Sequence, residues 1–271
     1  MTVDGLDSVS SRFPHGVSQG KLRVALFLAR KATGLETLVA TSRQGSRPYE
    51  IAGALLATAQ SHAVPVLDRW RIPWRVNDLR AFCATRGAAL RDLAVRAEYD
   101  RRSLQLVREF RPASLALYGY IYILTEPILG AYSGRIVNVH DSDLTVLNGD
   151  GTPRFPGLHA TRNAIVAGEH STRSCVHLVT EELDAGPVLA RSRPYAVHAA
   201  FSRNGSTKLT TYGMKPSAGD GVKVYAYALR ERMMGECWPL LMDEALRAMA
   251  ARGRSLEDGG SHDGSNAWRT P

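Results

Sequence analysis

Cysteine is scarce in this chain. The three present among 271 residues (Cys83, Cys175 and Cys237) lie too far apart for a paired framework and lack metal-ligand spacing. That excludes a disulfide-stapled secreted domain and a structural zinc site, and it points to a reducing compartment. Long apolar runs are also missing, and no stretch is long enough to span a membrane. The first twenty residues are polar and contain no apolar core of a secretory leader, so a cytoplasmic address is expected. Aromatic residues make up only 7%, and no block of like charges occurs. Lys and Arg nevertheless outnumber Asp and Glu by 34 to 26, a net charge of +8. A positive excess favours anionic partners, but when dispersed it reads as a solvated surface and gives no nucleic-acid footprint.

What is present is ample core material. A hydrophobic fraction of 44% suits a soluble globular fold. Residues 1–20 are rich in Ser, Gly and Asp and are expected to be flexible. Val24-Ala25-Leu26-Phe27-Leu28 reads as a buried strand, with helical material from Leu35 and again across Ile51 to Ala63. His62 to Val66 reads as a helix end passing into a short strand. Arg80 to Phe110 carries helical spacing, and Ser114–Leu117, Arg135–His140 and Cys175–Thr180 are strand candidates, with a helix over Leu158–Ala167. Strands alternating with helices indicate an α/β fold with a mainly parallel sheet over residues 21–195. Residues 196–221 turn abruptly to Ser, Gly, Thr, Lys and Asn and read as a long polar loop. One C-terminal helix is expected over 222–252, packing on the domain, and a disordered tail over 253–271.

Two stretches could carry chemistry. In Ile136-Val137-Asn138-Val139-His140, strand alternation puts Asn138 and His140 on one face. Polar groups at the carboxyl end of an apolar strand are either site residues, as α/β proteins use them, or structural groups closing the strand. Asp184, in Glu181-Glu182-Leu183-Asp184-Ala185-Gly186-Pro187, lies in a turn after a strand and could approach both in space.

These stretches also carry a resemblance. Gly119 to Leu124, Gly134 to His140, Phe155-Pro156-Gly157-Leu158-His159 and Val176 to Pro187 resemble, in order and spacing, the folate-dependent formyltransferases. Among these they are most similar to the phosphoribosylglycinamide formyltransferases. The resemblance spans roughly 21–194 and implies a Rossmann-like domain with Asn138, His140 and Asp184 as the catalytic set. It implies 10-formyltetrahydrofolate as formyl donor, no metal, and a small-molecule amine as acceptor. A homodimer is compatible with it, and no nucleic acid or membrane partner is implied. The chemistry is coherent: Asn138 and a charged His140 can donate to a developing oxyanion, and Asp184 can favour that charge and organise a proton-carrying water. The family's pterin slot falls on Tyr122, Ile123 and Leu124 and on the turn containing Glu182 and Leu183.

The sequence also departs from the family. Where purine-pathway members place a Gly-rich phosphate loop after the first strand, this chain reads Ala29-Arg30-Lys31-Ala32-Thr33-Gly34. Arg30 and Lys31 either bind an anion through their side chains or fill the site. Tyr122 stands where those members carry Arg. Asp141, directly after His140, either reads a cationic acceptor amine or is a turn residue. His159 and His177 fall on family histidines that support the pocket, with His159 a candidate acceptor contact. The expected acceptor is therefore an amine other than glycinamide ribonucleotide. Purine synthesis itself and a catalytically silent folate-binding protein are the alternatives.

Overall fold

The computed structural model describes residues 17–18, 20–202 and 221–257. In chain order the chain forms β1 (Val17–Ser18), β2 (Lys21–Leu28), α1 (Leu35–Ser42), β3 (Tyr49–Leu56), α2 (Val64–Arg69) and β4 (Trp74–Val76). Next come α3 (Leu79–Ala84), α4 (Leu93–Arg108), β5 (Ser114–Leu117), α5 (Glu126–Ala131), β6 (Ile136–His140) and α6 (Ala160–Val166). The last elements are β7 (Ser171–Thr172), β8 (Cys175–Leu178), β9 (Val188–Arg191), β10 (Tyr195–Ala196), α7 (Ala199–Ser202), α8 (Gly221–Glu236) and α9 (Trp238–Glu257).

The main sheet runs β4-β3-β2-β5-β6-β8-β9, with β1 paired antiparallel to β2. The five strands from β4 to β6 are parallel, and β8 and β9 add on antiparallel. Strand order reverses between β2 and β5, where an open α/β sheet leaves a crevice beyond its carboxyl ends. Both faces are covered, which is why β2 runs apolar from Val24 to Leu28 rather than alternating. Val24, Leu26 and Leu28 face a core shared with α1, α2 and α9, while Ala25 and Phe27 face one shared with α4 and α5. Cys83, Cys175 and Cys237 are all buried and free. No helix among the described residues is long and apolar enough to cross a membrane.

Several sequence expectations are corrected here. Ile51 to Leu56 is strand β3, not helix, and Val64 to Arg69 is helix α2, not strand. Pro65 sits in the first turn of α2, where its missing N–H costs nothing. The expected single C-terminal helix is two, broken at Cys237, because Pro239 cannot donate to the preceding turn. α8 packs mainly on α6, whereas α9 crosses the sheet against α1, β8 and β9. Val17–Ser18, expected to be flexible, pairs with Leu22 and Lys21, and α9 extends to Glu257, past the expected start of the tail. The expected loop from 196 begins instead with the end of β10 and with α7. Residues 1–16, 19, 203–220 and 258–271, the remainder of the expected flexible segments, lie outside the described residues.

Candidate functional site

The site is built by strand register. β6 runs parallel to β5, which sets Asn138 beside Leu117, and antiparallel to β8, which sets it directly opposite His177. Cross-strand partners are the closest side chains in a sheet, and the Asn138 amide nitrogen lies 3.1 Å from His177 Nε2. His177 Nδ1 lies 2.8 Å from the carbonyl of Leu178 and donates to it. Nε2 is then the nitrogen shared by Asn138 and Asp184: unprotonated it accepts from the Asn138 amide, and protonated it donates to Asp184 Oδ1, 3.4 Å away.

Asp184 arrives from the turn after β8. Its φ of 53° is a left-handed conformation, which Asp tolerates better than most residues. Its Oδ2 accepts from the Gly157 N–H at 2.7 Å and lies 3.5 Å from His140 Nδ1. Gly157 itself has φ 79°, which only glycine adopts without strain. Burial would raise the Asp184 carboxyl, but hydrogen bonding from His177, the charge of His140 and the Gly157 N–H outweigh it, holding the group at about 2. Asp184 is thus a fixed negative charge between two imidazoles at neutral pH. The second nitrogen of His140, Nε2, donates to the Phe155 carbonyl at 3.1 Å, and Ser142 Oγ donates to the same carbonyl at 2.6 Å.

Above this cluster lies a cleft of about 300 Å³. Its walls include Tyr122, Ile123, Leu124, Glu182 and Leu183, the residues assigned to the pterin slot. Ile121, Ile123, Leu158 and Leu183 are large apolar side chains left 47% to 59% exposed, which is uncommon in a folded protein without a ligand surface to form. Arg96 of α4 donates to the Ile123 carbonyl, and Asp100 accepts from the Thr125 N–H and hydroxyl, so buried groups of α4 pin this loop from beneath. An apolar slot edged by loop backbone fits a flat heterocycle with amide groups.

A second cleft of about 360 Å³ adjoins the first and shares Gly119, Ile121, Asp141, Leu158 and Arg230 with it. Arg30, Lys31 and His159 line this second cleft, so His159 stands apart from Asp184. Arg30 is exposed and forms no ion pair among the described residues. Asp141 is buried at the junction and paired with Arg230 Nε from α8, which excludes the exposed-turn reading. Among the described residues, no cluster of His, Cys, Asp or Glu is arranged to hold a metal ion.

The pattern of the formyl transferase family matches residues 22–209. The chain belongs to that family. It is 35% identical over 98 residues to phosphoribosylglycinamide formyltransferase of Escherichia coli, covering 36% of this chain and 42% of that protein. It is 28% identical over 182 residues to the trifunctional purine biosynthetic protein adenosine-3 of chicken, covering 67% of this chain and 16% of that one. The chain therefore spans less than half the length of these curated relatives. Among solved structures, glycinamide ribonucleotide transformylase 1 of Symbiobacterium toebii superposes with a TM-score of 0.63 at 21% identity, covering 87% of this chain and 90% of that one. At that identity the likeness establishes a shared Rossmann-like formyltransferase fold.

The site contains residues that motif reading passed over. Tyr227, Arg230 and Glu231 reach it from α8, some ninety to two hundred residues from their partners Asp141 and Lys31. Their one available signal was helical spacing: Tyr227, Arg230, Glu231 and Met234 fall on one face of a helix.

Proposed function

We propose that this protein transfers a formyl group from 10-formyltetrahydrofolate to the amine of a small-molecule acceptor other than glycinamide ribonucleotide. The observation that carries the reading is the Asn138–His177–Asp184–His140 cluster, set beneath one cleft that adjoins a second at Asp141 and Arg230. Bound in the first cleft, the folate supplies the formyl group. Asn138 keeps one amide N–H after bonding His177 and directs it to the oxygen on which negative charge develops. His140 adds a second donor: its Nε2 can leave the Phe155 carbonyl at little cost, because Ser142 still satisfies that oxygen. Asp184 balances the charge on His140 and orders a water that carries the amine proton to the departing folate nitrogen as its bond to the formyl carbon breaks. Tyr122, Ile123, Leu124, Glu182 and Leu183 hold the donor. Asp141, Arg30, Lys31 and His159 face the acceptor.

The acceptor assignment is supported by the loop after β2. It lacks the glycines of a backbone phosphate cradle, and Lys31 is already engaged by Tyr227 and by Glu231 at 2.5 Å. Purine synthesis is the second reading, favoured by Arg30, which forms no ion pair among the described residues and lies on the second cleft. The discriminating experiment follows donor absorbance with glycinamide ribonucleotide, with a panel of phosphate-free primary amines, and without acceptor. Turnover with a phosphate-free amine and none with the ribonucleotide is expected. Rapid turnover with the ribonucleotide would overturn the acceptor assignment, and folate binding with no turnover under any condition would overturn the enzyme reading.

A further inference from the structure

The loop after β2 and the helix α8 meet at Lys31, Thr33 and Glu231. Lys31 brings an ammonium group and Thr33 a hydroxyl just ahead of the first turn of α1. A cation and a hydroxyl at a helix start form a favourable environment for negative charge. The protein fills that place itself. Glu231 Oε1 is 2.5 Å from Lys31 Nζ, and its Oε2 accepts from Thr33 Oγ1 at 3.3 Å. Tyr227, one helical turn earlier, is hydrogen-bonded to Lys31 and also lies under its ammonium as a cation–π partner, 4.0 Å from Nζ to the ring centre.

The contact is fixed by close packing on both sides. A Cβ on Gly34 would lie 2.8 to 2.9 Å from Pro239, Tyr118 and the Met234 carbonyl, so the loop sits directly on the end of α8. Around Gly235 of α8 the same approach leaves 3.9 Å to the Thr33 methyl. Arg230, the residue before Glu231, is anchored to the buried Asp141 and lies 3.9 Å from the Glu231 carboxylate. Glu231 thus has two cationic neighbours and one hydroxyl donor, and it is paired with Lys31, which lines the second cleft. Apolar Ile121, Leu158 and Met234 share the wall of that cleft with basic Arg30, Arg162 and Lys223.

We propose that Glu231 sets the acceptor class: its carboxylate occupies the anion seat made by Lys31 and Thr33, excludes phosphate-bearing amines, and leaves the second cleft to a phosphate-free amine with an apolar face. The proposal rests on the formyl-transfer reading for its meaning, but its physical core, a seat plugged by the protein's own carboxylate, is tested without any turnover. A phosphate dianion brought to Lys31 would meet a carboxylate at hydrogen-bonding range of the same ammonium, and like charges at such separations repel where screening is partial. Removing the carboxylate should therefore expose the seat.

The experiment measures thermal unfolding of the full chain in inorganic phosphate and in chloride at matched ionic strength. It uses the wild type, Glu231→Gln, Glu231→Ala and the double variant Glu231→Gln/Lys31→Ala. Ligand that binds only the folded state raises the unfolding midpoint with concentration. The wild type is expected to respond equally to the two salts. Both single variants are expected to gain a phosphate-specific rise corresponding to at least tenfold tighter phosphate binding, and the Lys31 substitution to abolish it. Phosphate-specific stabilisation of the wild type matching that of the variants would overturn the proposal. So would absence of any gain in both folded single variants. Either result leaves the turnover assay standing on its own, so failure of the seat and failure of formyl transfer are read separately.

Discussion

Asp184 concentrates the electrostatics of the site in one side chain. It accepts from Gly157, and its two oxygens lie 3.4 to 3.5 Å from one nitrogen each of His177 and His140. Asp184→Asn keeps the shape and tolerates the left-handed backbone at φ 53°, yet removes the charge that both imidazoles share. This variant is expected to lower kcat about a hundredfold or more while changing donor affinity little. Equilibrium folate binding and steady-state turnover check the two halves, and an active variant would remove Asp184 from the mechanism. The same group links stability to pH. Its folded pKa, about 2, lies below the ordinary 3.8, so its contribution is present above the unfolded value and is lost as pH falls through the folded one. A shift of that size corresponds to about 2 kcal/mol. Urea unfolding of wild type and Asp184→Asn should therefore show a stability gap at pH 6 that narrows below about pH 4.

At the scale of elements, the junction of α1, α8 and α9 is closely fitted. Gly34 caps α1 at φ 78° with three heavy atoms of other elements under 3 Å from where a Cβ would stand. Gly34→Ala combines a strained backbone with an overpacked contact and is expected to cost about 2–4 kcal/mol, measured by urea denaturation. It should also loosen the Lys31–Glu231 contact beside it. This junction was not legible in the sequence. Gly34 could be read only as a remnant of a Gly-rich loop, because its actual partners, Tyr118, Met234 and Pro239, lie far away along the chain. β6 was legible, since its apolar run ends in Asn138 and His140, and register then fixed His177 opposite. β3 was misread as helix because Ile51-Ala52-Gly53-Ala54-Leu55-Leu56 has no polar alternation. A strand buried on both faces carries the same apolar run as a buried helix. Its Gly53, whose Cβ would fall 2.3 Å from the Phe110 ring, was the local clue that another element packs directly on it.

At the scale of the molecule, the reversal of strand order between β2 and β5 opens the crevice that the two clefts occupy. The α/β class and the position of the site beyond the strand ends followed from alternating elements and four ordered motifs. The division of that crevice between two clefts did not, because it depends on α8 descending over the ends of β2 and β6. One feature of the interior has a use in the laboratory. Cys83, Cys175 and Cys237 are each no more than 8% exposed, and burial, with neighbouring aspartates adding to it, pushes the Cys175 thiol up to about 12. A protonated, inaccessible thiol is inert to alkylating and disulfide-exchange reagents. The native chain should therefore resist an aromatic disulfide reagent and release three equivalents of chromophore only on opening. Modification at the rate of global unfolding is expected for Cys175, and faster modification would reveal a local opening near β8. The wild-type protein thus carries its own unfolding clock, readable without an engineered label.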